Sequence, residues 1–119
     1  MRYLSFVKAP MNQGAPPQAL MDAMGKLMAE SFADGTLVQT GGLAPAAAMT
    51  RVRVSGGKVT VLDGPFTEAK EVIGGYAMLE YATLEAAIES SRKFMQMHAD
   101  TWPGWVGECE LRAIDYLAP

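Results

Sequence analysis

Segment 51–62 reads RVRVS-GG-KVTVL, and it limits the fold more tightly than any other stretch of the chain. Two alternating runs are joined by Gly56-Gly57. Both turn residues can take positive φ, so the runs predict a β-hairpin with a tight turn. Every other element has to be arranged around this antiparallel unit.

On its N-terminal side, residues 2–8 alternate as a half-buried strand, and 9–17 hold three prolines, a glycine and an asparagine, which predicts a loop. Leu20, Met24, Leu27 and Met28 recur at helical spacing from Gln18 to about Phe32. Pro16-Pro17 suits the helix start and Asp34-Gly35 its end. Residues 36–40 form a second strand, and 42–49 a loop in which Pro45 breaks any helix. After the hairpin comes a sharp turn at Asp63-Gly64-Pro65-Phe66, then 67–71 as one helical turn or loop.

Residues 72–81 predict another strand, with a bulge or a close backbone approach at Gly74-Gly75. Thr83 is a suitable N-cap, with Glu85 and Glu89 toward the positive end of the helix that follows. That helix runs to about His98 and presents Leu84, Ala87, Ile88, Ser91, Met95 and His98 on one face. A loop over 99–107 leads to a last strand over 108–117.

The fold class is α+β. With the hairpin set aside, the order is βαββαβ, the ferredoxin-like split motif with an inserted β-hairpin. One face of the sheet lies under the two helices. Alternation assigns Leu4, Phe6, Ala77, Leu79, Leu111 and Ala113 to that face. It leaves Tyr3, Ser5, Val7, Tyr76, Met78, Glu80, Arg112, Ile114 and Tyr116 on the other. This second set is too apolar for open water, so a partner sheet is expected to cover it and leave a polar-lined cavity between the sheets.

Composition excludes several roles. The 119 residues, 50% of them hydrophobic, suit a single domain over the whole chain. A net charge of −3 with scattered cations argues against nucleic acid as a partner. The first apolar run is too short for a signal peptide or a membrane span, and the lone Cys109 cannot form an internal disulfide. A cytoplasmic protein is the resulting expectation. One histidine and one cysteine give no metal set, and no phosphate loop or nucleophile elbow is present, so neither a metal nor a cofactor is expected.

The stretch 42–76 reads GLAPAAAMTRVRVSGGKVTVLDGPFTEAKEVIGGY. DGPFTEAKE followed by GGY resembles the signature of the DGPF group of YCII-related proteins, and the G-L-x-P and R-V-x-V segments stand where that family has them. The resemblance implies a ferredoxin-like subunit that forms a homodimer by stacking its sheets in a dimeric α+β barrel. It also implies kinship with muconolactone isomerase-like enzymes and a link to extracytoplasmic-function sigma factors. Short YCII proteins carry a proposed His–Asp pair with the histidine on the first helix. Residues 16–33 hold no histidine here, so that proposal does not carry over.

The residues themselves suggest a site. His98, the only histidine, is the natural proton-transfer group near neutral pH, with Asp100 close enough in sequence to orient it. Its alternative role is a helix C-terminal cap. Asp63 is either a turn-stabilising carboxylate or a base at the mouth of the barrel. Trp102 and Trp105 bracket Pro103-Gly104 and form either a wall for a flat ligand or a hydrophobic clasp. Arg112 with Glu80, Tyr76 and Ser5 would line the cavity between sheets, Arg112 holding an anion or pairing with Glu80. Glu68, Lys70 and Glu71 form a charged rim or a solvated loop, and Cys109 an inert core thiol. Two functions follow: a small polar or anionic metabolite bound with cofactor-free proton transfer, isomerase- or lyase-like, or a non-catalytic interaction module.

Overall fold

A computed structural model describes residues 1–66 and 71–115. Strand β1 spans Arg2–Pro10, helix α1 Gln18–Asp34 and β2 Leu37–Gly42. A 3-10 turn at Ala46–Ala48 precedes the hairpin β3 (Thr50–Ser55) and β4 (Lys58–Asp63). Then follow β5 (Glu71–Glu80), α2 (Leu84–Thr101) and β6 (Glu108–Ala113). The four-stranded sheet has the order β2-β5-β1-β6, antiparallel throughout, and β3-β4 form a separate two-stranded sheet. This is the ferredoxin-like α+β arrangement with the hairpin inserted between β2 and β5. Residues 67–70, which include Glu68 and Lys70, and residues 116–119, which include Tyr116 and Leu117, lie outside the described residues.

Local signals act where the chain places them. Pro17 sits at the N-cap of α1, and Gly35 ends the helix at φ 82°, its N–H donating to the Phe32 carbonyl. Thr83 caps α2, its hydroxyl oxygen accepting from the Ala86 N–H at 3.2 Å. Gly56 and Gly57 both take positive φ, at 58° and 76°. The register of β1 against β5 slips between Val7 and Lys8, so the extra residue is Gly74, at the anticipated bulge.

The face of β1 differs from expectation. Tyr3 and Ser5 are buried, at 2% and 7% exposure. Tyr3 pairs with Leu79 and Ala113, and Ser5 with Ala77 and Leu111. Directly paired residues share a face, so Tyr3 and Ser5 belong under the helices. Leu4 and Phe6 stand with Met78, Tyr76 and Arg112 on the open side. Apolar residues occupy successive positions of β1, so its own periodicity cannot choose a face; the partner strands choose it.

Helix α2 keeps the expected stripe except at two positions of its N-terminal half. Leu84 and Ile88 are exposed, whereas Ala87 and His98 are buried. Among the described residues the buried apolar core is only Tyr3, Leu20, Leu37 and Ala87.

Candidate functional site

The thin core leaves a cavity of ≈ 540 Å³ between the helices and the sheet. Leu20, Met24 and Leu27 of α1, Leu37 of β2 and Phe94 of α2 supply apolar wall. Polar groups reach it at few points, and His98 is chief among them.

His98 lies two turns along α2 from Ser91, on the same side, and is 6% exposed. Its Nδ1 is 3.0 Å from the Phe94 carbonyl. A carbonyl only accepts, so Nδ1 carries the proton and Nε2 of the neutral ring is an acceptor. Among the described residues Nε2 has no protein partner. The ring meets Phe94 edge-on at 4.9 Å and tilts against Trp105 at 4.7 Å, and Trp105 stacks on Trp102 at 5.7 Å. Asp100 does not orient His98. It is exposed and accepts from Gln96 at 2.9 Å. Nor does His98 cap the helix, which runs on to Thr101.

Local chemistry holds the tryptophans. The Trp105 N–H donates to the Trp102 carbonyl at 3.2 Å across Pro103-Gly104, and Gly104 takes φ 81°. Proline then glycine is what a type II turn requires at these positions. Gln13 clamps the loop from the β1–α1 connection. Its Nε2 donates to the Val106 carbonyl at 2.8 Å and its Oε1 accepts the Val106 N–H at 2.9 Å. Gly107 gives the Trp105 ring room, since a Cβ there would fall within 2.6 Å of Cζ2.

Two hydroxyls complete the site. Ser5 Oγ lies 3.1 Å from Cys109 Sγ, which brings the lone thiol into a polar contact under the helices. Ser91 Oγ is enclosed and has no hydrogen-bond partner among the described residues. A buried hydroxyl left unpaired is costly, which makes this oxygen the most informative atom of the cavity.

Of the residues singled out from sequence, His98, Trp102, Trp105 and Ser5 come together here. The others do not join their side chains to them. Tyr76 borders the cavity, but by register its side chain rises with Phe6 on the open face, where its ring lies over Gly41. Arg112 and Glu80 are exposed on that face. Glu80 pairs with Arg2 at 3.5 Å and with the amino terminus at 3.6 Å, rather than with Arg112. Nearby, the Glu110 carboxylate 2.8 Å from Lys8 raises the lysine pKa above its ordinary value.

Asp63 stands at the base of the hairpin and accepts from the Thr50 hydroxyl at 3.3 Å. Gly64 packs against the 3-10 turn. Its N–H donates to the Met49 carbonyl at 3.1 Å, and an added Cβ would press on the Ala47 and Met49 carbonyls. The Gly64–Pro65 bond is cis. Arg51 lies over the Phe66 ring at 3.9 Å. Asp63, Gly64 and Phe66 of the DGPF turn thus contact the hairpin or the 3-10 turn beside it.

Residues 1–102 match the YCII-related domain. The chain belongs to the YCII-related family. An uncharacterised protein of Rhizobium meliloti (strain 1021) is 31% identical over 85 residues, which is 71% of this chain and 64% of that relative's length. The described residues contain no helix long and apolar enough to cross a membrane, and no group of three or more metal-ligating side chains.

Sequence reasoning passed over Ser91, Phe94 and Gln13 as site residues. Ser91 was within reach, because it stands seven residues before His98 on one helical face. Gln13 carried no signal; only tertiary folding brings it to Val106.

Proposed function

We propose that this YCII-related chain binds a small, largely apolar molecule between its helices and sheet. The molecule would carry one polar end, which donates to His98 Nε2 and is contacted by the Ser91 hydroxyl. The observation carrying this reading is an apolar cavity of ≈ 540 Å³ with an enclosed, unpartnered Ser91 Oγ and a buried His98 directed by the Phe94 carbonyl. That volume lies within the usual range for small-molecule sites, about 300–1,000 Å³, and apolar walls with few polar anchors are their usual lining. Trp102 and Trp105 form the wall behind His98 and suit a flat or branched ligand. If the bound molecule has an acidic O–H or C–H, His98 Nε2 accepts that proton, giving cofactor-free proton transfer of the isomerase or lyase kind.

This reading moves the ligand from the space between stacked sheets to the space beneath the helices. An anionic ligand held by Arg112 and Glu80 would require a second subunit over the open face. The cytoplasmic location and the homodimer remain part of the proposal. The competing reading is a non-catalytic interaction module, with an extracytoplasmic-function sigma factor as one candidate partner.

A thermal-shift screen of the purified chain against phenols, alcohols and small apolar acids tests the reading. Ligand at a hundredfold excess over Kd adds about 2.7 kcal/mol to the folded state. The expected result is a reproducible rise for one chemical class that is lost in His98→Phe. No rise with any compound, together with a protein partner recovered from native cells, would replace this reading with the interaction module.

A further inference from the structure

Gly41, Gly42, Gly74 and Gly75 stand where β2 and β5 border the cavity. Register sorts them. Gly42 pairs with Gly75, and Thr40 with Ala77. Val7 of β1 pairs with Gly75 on one side and with Cys109 of β6 on the other. Directly paired residues share a face, and Ala77 lies on the face of Tyr3 and Ser5, so Gly75 and Gly42 turn toward the helices. One row thus crosses the end of the sheet as Cys109, Val7, Gly75 and Gly42, and its second half has no side chains.

Glycine weakens a paired strand, so each one needs a physical reason. Gly75 has one within the chain, because a Cβ there would stand 3.2 Å from the Gly41 carbonyl oxygen. Gly42 has none. Its φ is outside the left-handed region, and a Cβ would meet nothing nearer than the Gly74 carbonyl oxygen at 3.9 Å, an ordinary contact. Neither the backbone nor the neighbours of Gly42 require the side chain to be missing, and the space it leaves belongs to the cavity.

A second observation comes from His98. It is 6% exposed, and its Nδ1 is held by the Phe94 carbonyl of its own helix. Its Nε2, unpartnered among the described residues, is on the far side of the ring from that bond, and the residue lines the same cavity. Helix α2 packs on β6 and α1 on β2, so the histidine and the glycines stand at opposite sides of the space. Strands β6 and β5 are separated by β1. At about 4.8 Å per strand, the glycine floor begins about 10 Å from the β6 side.

We infer that Gly42 and Gly75 form a floor for a flat, conjugated ring system whose hydroxyl reaches His98 across the sheet. The inference rests on the ligand-binding reading above and gives the ligand its class: a fused aromatic with an acidic O–H, longer than a single ring. Strand glycine permits a ligand to approach the backbone closely. A planar ring can lie on the bare peptide planes, whereas a saturated skeleton is too thick to lie as close. Across the cavity, Met21 and Met24 of α1 border the same space, and thioether sulfur makes favourable contacts with aromatic rings.

Calorimetric titration of the full chain with phenol, naphthol and decalol, the saturated counterpart of naphthol, tests it. Wild type is expected to bind naphthol at least about tenfold more tightly than decalol, since pocket fit to one methylene is worth roughly 10–200-fold. Gly42→Val fills the floor and should lower the ratio of naphthol to phenol affinity at least about tenfold. A general loosening of the fold would weaken both ligands and leave that ratio in place. If Gly42→Val loses its far-UV signal, Gly42→Ala is read instead, since its Cβ makes only an ordinary contact. Naphthol and decalol bound alike, or an unmoved ratio in a folded Gly42 variant, would overturn the flat floor and leave the cavity reading standing. A wild type that binds none of the three would also overturn it, and the ligand reading would then stand or fall by its own wider screen.

Discussion

Replacing Ser91 with alanine should stabilise the unliganded protein. Its Oγ is enclosed among cavity walls without a hydrogen-bond partner among the described residues, and an unsatisfied buried hydroxyl costs about 1–3 kcal/mol. Alanine adds about 0.5 kcal/mol of helix propensity in α2. The expected gain is therefore about 1.5–3.5 kcal/mol, a midpoint rise of roughly 5–15 °C for a domain of this size. Ser90→Ala supplies the control, because Ser90 borders the same cavity but has no enclosed orphan oxygen. It should gain only the propensity term, about 0.5 kcal/mol. Urea unfolding of the three proteins, followed by circular dichroism, reads the difference directly. The same Ser91→Ala protein should bind its ligand about two- to tenfold more weakly, the usual worth of one neutral hydrogen bond. If Ser91→Ala matches Ser90→Ala in stability, the hydroxyl is not an orphan and the argument for a polar ligand end beside it falls.

Gly107→Ala should drive Trp105 away from His98, because the new Cβ meets the ring at Cζ2 and lies 3.1 Å from the Lys8 carbonyl. A loss of about 1–3 kcal/mol and a red-shifted tryptophan emission are expected, and unchanged emission would contradict the packing. Thr83→Ala removes the α2 cap and should lower stability by about 1 kcal/mol, read from the urea midpoint. The Thr36 hydroxyl and its backbone N–H both donate to Asp34, at 2.6 and 2.9 Å, and hold its carboxyl below the ordinary value. A lowered folded pKa gives stability that is present above the ordinary carboxylate range and is lost as pH falls through the folded value. Asp34→Ala should therefore be less stable than wild type near neutral pH and equal to it in strong acid, and a gap that persists in acid would refute the linkage. Lys8 has the opposite sign. Its raised pKa gives stability present below the ordinary lysine value and lost as pH rises through the folded value, so Glu110→Gln should shift the alkaline limb of the stability profile.

Much of the fold was legible because its signals act over a few residues. Alternation around Gly56-Gly57 is enough for a hairpin, Thr83 is enough for a cap, and the double glycine 74–75 marks a bulge, since each depends on neighbours within one turn or one pleat. The DGPF turn marked the family without pointing at chemistry. In the fold its residues serve the hairpin base, with Asp63 bonded to Thr50, Gly64 pressed on carbonyls and Phe66 under Arg51.

Quantities that depend on pairing between distant segments were not legible. Tyr3, Leu4, Phe6 and Val7 satisfy either face of a strand equally well, and only the registers with β5 and β6 put Tyr3 and Ser5 inward. On α2 the helical spacing already put Ala87, Ser91 and His98 on the inward face, and only the position of the helix on the sheet leaves Leu84 and Ile88 outside. The sequence by itself determined the elements, their order and the residue types available for proton transfer, because local hydrogen bonding and side-chain sterics decide these. Tertiary structure alone decided that His98, Trp105 and Ser91 share an underfilled space and that the valines of the hairpin stand uncovered. A cavity and an unpartnered face are both defined by what distant segments fail to fill, and no local pattern in the chain records that failure.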